Sequence, residues 1–235
     1  MKSVHSMILW TATAFLLVCG FSSAAAQEST GGRGAPAAAA NYPKDVDPQS
    51  QFRLPLLKRD DLDDYGKKVF DSLAAPNATV IRGPNSIRMY SPKVAEVMSA
   101  ANRYLRSEET GLGDRLLEVA ILVATREANA QTEWTGHEPA ALKAGVEQQI
   151  VDIIKYRKPV TGLGEKETAI IRLGREMLGS LKVSSETFAD AQRLFGNKTL
   201  VDLVTLMANY SATGAMLRAF DMQLAPNQKP LLPIP

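Results

Sequence analysis

Thiols are almost absent from this chain. Cys19 is the one cysteine among 235 residues, so no disulfide can form within the chain. Histidine is nearly as scarce, with only His5 and His137. Aromatic residues make up 6% and β-branched runs are few, while Ala and Leu are plentiful, a composition that favours helices. An excess of either charge is missing too: 27 Lys and Arg face 25 Asp and Glu. No basic run or aromatic-interleaved patch occurs, which argues against a nucleic-acid or polyanion partner. No Gly-x-Ser-x-Gly elbow is present, so a serine hydrolase of that kind has no support. What remains is helix-forming sequence, long enough to bury a sizeable core.

Met1 to Ala26 reads as a secretory signal. Lys2 and His5 give a short basic start, Met7 to Val18 an apolar run, and Ala24-Ala25-Ala26 a small-residue cleavage site before Gln27. The run is too short to span a bilayer comfortably, so the expected product is exported, periplasmic or secreted, with no stable membrane insertion after cleavage. A lipoprotein signal ending at Cys19 is one alternative, weakened by the bulky Val18 before it, and an uncleaved anchor is another. Cleavage removes Lys2, His5 and Cys19 together. The mature chain then has no thiol, a single imidazole at His137, and charges close to balance.

Gln27 to Asn41 is low-complexity and expected to be a disordered tether. Tyr42 to Leu57, punctuated by Pro43, Pro48 and Pro55, is expected to run extended over the surface. Residues 27–57 are therefore set outside a helical domain placed at 58–225. The Pro-rich tail 226–235 is expected to lie extended over a neighbour.

Within the domain the apolar spacing is helical. Asp60 or Asp61 is expected to cap a helix through Ala74, and Ser91 before Pro92 to start one ending near Ser107. Thr79 to Met89 reads as a long loop carrying Arg82 and Arg88, with Tyr90 beside it. An ordered loop of this length can line a site, with one arginine holding a substrate carboxylate. After Gly111–Gly113 a helix carries Glu118 to about Ala128, and a turn near Asn129 leads into a helix bearing Glu133 and His137. Pro139 is expected to kink that helix or delay its start. Gly145 closes it, a helix over Glu147–Tyr156 follows, and three more cover Glu165–Leu181, Ser184–Phe195 and Lys198 to about Leu224. The total is about eight helices in an all-α bundle. A faint echo relates Ala144-Gly145 with Ile150-Val151-Asp152-Ile153 to Phe195-Gly196 with Leu200-Val201-Asp202-Leu203, two helix-Gly-helix joints.

Glu118 lies in an apolar run, Leu116-Leu117-Glu118-Val119-Ala120-Ile121, where a carboxylate is costly unless paired. Fifteen residues on comes Glu133-Trp134-Thr135-Gly136-His137, with Glu133 and His137 one turn apart on one helix face. A carboxylate beside an imidazole builds a proton-transfer group for near-neutral pH. This Glu118 and Glu-Trp-x-x-His pattern, followed by an Ala-rich helix and Gly145, resembles the carboxymuconolactone decarboxylase and alkylhydroperoxidase D-like superfamily over roughly Asp60 to Leu224. In the peroxidase branch a Cys-x-x-Cys pair stands where this chain has Ala130 and Glu133. The resemblance is therefore to the branch without the thiols, and the thiol mechanism lacks its nucleophile here.

The resemblance implies an AhpD-like helical bundle, a trimeric or hexameric homo-oligomer, and cofactor-independent chemistry on a small lactone or carboxylated compound. The reaction would be decarboxylation, isomerisation or hydrolysis. In this reading His137 delivers the proton, Glu133 orients and charges it, and Glu118 completes the relay or holds a water. Arg126 or Arg82 takes a substrate carboxylate, and Trp134 is either core or an apolar wall over the site. No metal or other cofactor is expected, since one histidine and two carboxylates are the only pointers to a metal. A small-molecule-binding protein that keeps the fold without catalysis is the rival.

Overall fold

The computed structural model describes residues 42–233; the proposed signal and tether, and the last two residues, lie outside the described residues. Eight α-helices and no strand occur among the described residues. They are α1 (Asp64–Leu73), α2 (Pro84–Arg88), α3 (Pro92–Leu105), α4 (Gly113–Glu127), α5 (Gln131–Lys143), α6 (Gln148–Lys155), α7 (Glu165–Gly174) and α8 (Ser185–Ala219).

The all-α expectation holds, as does the number of about eight helices, with one short helix found where a loop was expected. The supposed loop at 79–89 contains α2, entered through Gly83 at φ 70° and Pro84 at the first helical position. The two helices expected either side of Gly196 are present as the two parts of α8, which is kinked where Gly196 (φ 71°, ψ 168°) leaves the helical backbone. The first helix starts later than expected. Asp60 and Asp61 belong to a 3-10 turn, and Asp63 caps α1 by accepting the Gly66 N–H. Pro139 lies inside α5, which already runs from Gln131 to Lys143, so the helix does not start late. Gly145, at φ 86°, joins α5 to α6 much as Gly196 joins the halves of α8.

α4 is the hub. Every residue from Leu117 to Arg126 is buried, and the helix packs against α5, α6, α7 and α8. Gly174 lets α7 approach closely, because a Cβ there would collide with Val123 of α4. Leu203, Leu206, Met207, Tyr210 and Leu217 of α8 are all buried within the chain, so this face is core. By length and composition α8 could cross a membrane, but half of its most apolar window is buried in the fold, as a core helix would be.

Two corrections concern the ends. The segment placed outside the domain is part of its packing: Phe52 is fully buried against Ile87 of α2 and Leu217 of α8. Backbone bonds fix it there, with Arg53 N–H donating to Phe220 O (2.9 Å) and Gln223 N–H to Gln51 O (2.8 Å). A boundary at residue 58 would leave an apolar hole under α2. The tail, in turn, lies on its own chain. Leu232 is buried, its N–H donating to Gln131 Oε1 (2.9 Å) and its carbonyl accepting from Gln131 Nε2 (3.2 Å) at the start of α5.

Candidate functional site

Glu118 is a buried carboxylate in the apolar stretch of α4. Its carboxylate is 5% exposed and holds two partners. Oε2 lies 2.8 Å from His137 Nδ1, and Oε1 lies 3.4 Å from Arg106 Nη2. A carboxylate can only accept, so Nδ1 carries the proton and Nε2 is the nitrogen left for chemistry. That nitrogen points toward Glu133, whose Oε2 stands 3.9 Å away, in contact but beyond a hydrogen bond. The two glutamates thus exchange the parts expected of them. Glu118 orients the imidazole, and Glu133 is the group opposite its free nitrogen. Glu133 and His137 share one face of α5 and lie within reach of each other, but the bond to the ring is made from α4.

α3 and α8 complete the setting. Arg106, the C-cap of α3, donates from Nη1 to the Tyr210 hydroxyl (2.6 Å), and the Tyr210 ring stands edge-on to His137 with centroids 5.1 Å apart. His137 is therefore fixed by Glu118 in its plane and by Tyr210 across it. Burial pushes the Tyr210 hydroxyl up to about 12, so it stays protonated across physiological pH and serves as a neutral hydrogen-bonding group.

Beyond His137 opens a polar pocket of about 270 Å³. Glu133, His137 and Tyr210 line it together with three arginines, Arg82, Arg88 and Arg106. Asn85, Asn102, Asn209 and Thr213 line the remainder. Arg88 is half-buried and anchored by neutral groups: Nη1 donates to Asn85 Oδ1 (3.1 Å) and Nη2 to Thr213 Oγ1 (2.6 Å). Burial lowers its pKa, with Glu133 and Tyr210 opposing that drift. Arg82 lines the mouth while donating from Nη1 to Gln49 O (2.6 Å) of the N-terminal segment.

Of the sequence-derived site residues, the structure gathers His137, Glu133, Glu118 and Arg82. Arg126 is corrected, and Trp134 takes its core reading rather than that of a wall over the site. The Arg126 guanidinium closes the α4–α5 turn, bonding Asn129 Oδ1 and donating to Lys155 O (2.7 Å), away from the pocket. Trp134 is fully buried; its indole N–H donates to Glu138, which also pairs with Lys155 Nζ (2.9 Å). It lies about a hundred degrees round α5 from Glu133, toward the core. Sequence reading missed Arg106, Asn209, Tyr210 and Thr213 as site residues. The one available signal was the pair Asn209 and Thr213, polar residues one turn apart interrupting the apolar face of α8.

Burial also pushes the Glu133 carboxyl up, against the lowering pull of His137, Arg88 and Arg106. A raised folded-state pKa means the folded protein holds the proton more tightly than the unfolded chain. Wild-type stability therefore falls as pH rises from the ordinary glutamate range through the folded value. Glu133→Gln removes that penalty. We expect its melting temperature to exceed wild type at pH 8 and the gap to shrink toward pH 4. Parallel melting curves for the two proteins across that range would show that Glu133 is not held uphill.

No family model matches this chain, and no curated protein matches it.

Proposed function

We propose that this protein performs cofactor-independent acid–base chemistry on a small lactone or carboxylated compound, in the manner of the carboxymuconolactone decarboxylase-like superfamily. The observation that carries the reading is the Glu118–His137 bond of 2.8 Å beside a pocket lined by three arginines. A buried carboxylate that accepts from Nδ1 fixes the imidazole and leaves Nε2 as the nitrogen that passes a proton. Loss of CO₂ from a lactone acid leaves an enolate, and the Nε2 proton passes to its carbon. The Tyr210 hydroxyl and the Arg106 guanidinium line the same pocket and would stabilise the enolate oxygen. Glu133, kept protonated more readily than an ordinary glutamate, restores the proton to His137. The same groups would run an isomerisation through one enolate, or a lactone hydrolysis with His137 as base.

Export through the N-terminal signal and assembly with further copies belong to the same proposal. Exposed Val94 and Val97 of α3, with Val201 of α8, are apolar side chains a second copy would cover. The thiol-peroxidase alternative is disfavoured, because residues 42–233 contain no cysteine. One observation favours the non-catalytic binder: the His137 side chain is only 15% exposed and already hydrogen-bonded to Glu118.

The test is to incubate the protein in D₂O with a panel of carboxylated γ-lactones and follow each by NMR. Deuterium appearing beside the lactone carbonyl, or carboxyl loss, faster than without protein is the expected result. A panel that stays chemically unchanged sinks the acid–base reading and leaves the binder.

A further inference from the structure

Arg88 presents an electrostatic problem that the fold leaves unsolved. A half-buried guanidinium normally faces a carboxylate, because burial without a counter-charge is costly. Here its bonds go to the neutral Asn85 and Thr213, and among the described residues no carboxylate forms an ion pair with it. Glu133 acts on it through the field only. A guanidinium carries five N–H donors, and these two bonds leave several free on the pocket side.

A second loose end lies one helical turn away. Asn209 Oδ1 is buried without a hydrogen-bond partner, while Asn209 Nδ2 donates to Asn102 Oδ1 (3.3 Å). Turning both amides over would exchange the orphan oxygen for an orphan N–H, so the site wants a partner either way. A hydroxyl both donates and accepts, and so satisfies both arrangements. Asn209 and Arg88 are linked through Thr213, whose Oγ1 takes the Arg88 bond and donates to Asn209 O (2.9 Å). The two unsatisfied groups therefore line the same stretch of α8, within one small pocket.

We infer that the pocket takes a small hydroxy-carboxylate anion, with Arg88 holding its carboxylate in a fork and Asn209 holding its hydroxyl. The inference rests on the pocket being the ligand site of the acid–base reading and adds the ligand's chemistry. It fits a lactone's ring-opened form, which carries these two groups.

Binding of butyrate, its 2-, 3- and 4-hydroxy derivatives and neutral butyramide, measured by calorimetry on the full chain, tests it. Butyrate is expected to bind at least tenfold tighter than butyramide, and one or more hydroxybutyrates about tenfold tighter than butyrate. Arg88→Gln is expected to weaken every acid by roughly ten- to a hundredfold. Asn209→Leu should erase the hydroxyl preference alone. Equal binding of butyrate and butyramide by the wild type overturns the inference without any variant. So does an Arg88→Gln protein that melts normally and binds the acids unchanged. Hydroxy acids bound through Arg88 with no lactone turned over would sink the acid–base reading alone. Lactone turnover with unchanged KM in Arg88→Gln would sink this one alone.

Discussion

Replacing His137 by Gln is expected to slow deuterium exchange or turnover of an accepted lactone by about two to four orders of magnitude, the range over which a positioned acid–base group acts. Glutamine keeps the size and a hydrogen bond to Glu118 but supplies no titratable proton. Glu118→Gln isolates the second half of the dyad. Its amide oxygen accepts from His137 Nδ1 or its amide nitrogen occupies that place, and either way one end now presents N–H groups toward a donor. If the oxygen stays on His137, the amide nitrogen faces Arg106 Nη2, where the wild-type carboxylate oxygen lies at 3.4 Å. The ring also loses the negative charge beside it. We expect kcat to fall about ten- to a hundredfold with KM little changed, the mark of an interaction made mainly in the transition state. A Glu118→Gln enzyme with wild-type kcat would show that the 2.8 Å contact serves packing alone.

The electrostatics of the site form one chain rather than a set of pairs. Arg106 holds both Glu118 and Tyr210, and these two hold the imidazole from two sides. Glu133 sits apart, buried, its carboxyl pushed up by desolvation. Two carboxyls flanking one imidazole are thereby given different tasks by environment. The one bonded to a guanidinium and to the ring N–H is an anchor. The one facing the pocket without a direct partner holds its proton more readily. An anion arriving at Arg88 would favour that protonated form further, so ligand binding would charge the acid it needs.

Much of this was legible in the sequence because it is local. Helical spacing marked nearly every long helix, and Gly145 and Gly196 marked two joints that the backbone keeps at positive φ. A lone carboxylate in the apolar run of α4 and a single histidine after cleavage were enough to nominate Glu118 and His137. What stayed hidden is what tertiary packing decides. Arg88 reaches Thr213 across 125 residues, and Arg106 reaches Tyr210 across 104. No periodicity records such meetings. Arg126 misled for the same reason, since nearness to His137 in sequence says nothing about which side of a helix faces the cavity. The swapped parts of Glu118 and Glu133 follow too: a shared helix face made Glu133 look like the anchor, whereas the bond to the ring is made from α4.

The largest effect on stability is expected from a residue that sequence reading set outside the domain. Phe52 is fully buried in a small cluster with Ile87 and Leu217, so Phe52→Ala removes a buried ring and leaves a cavity, a change worth about 3–5 kcal/mol. In urea the midpoint should fall while the slope stays near wild type, as for a folded protein with a hole in it. A midpoint unchanged by the substitution would mean that residues 42–57 only lie over the surface and add nothing to the core. The consequence reaches the pocket. Ile87 precedes Arg88 on the short α2, and Leu217 lies one turn beyond Thr213 on α8. Phe52 therefore wedges together the two elements that carry the Arg88–Thr213 bond, while Gln49 of the same segment accepts from Arg82 at the mouth. A helix of five residues has little stability of its own and takes its position from what packs on it. With the wedge gone, α2 has more freedom, and Arg88 must be ordered again each time an anion binds. Phe52→Ala should accordingly weaken carboxylate binding even at temperatures where the protein is fully folded, whereas Phe52→Leu, which refills much of the space, should recover most of both losses.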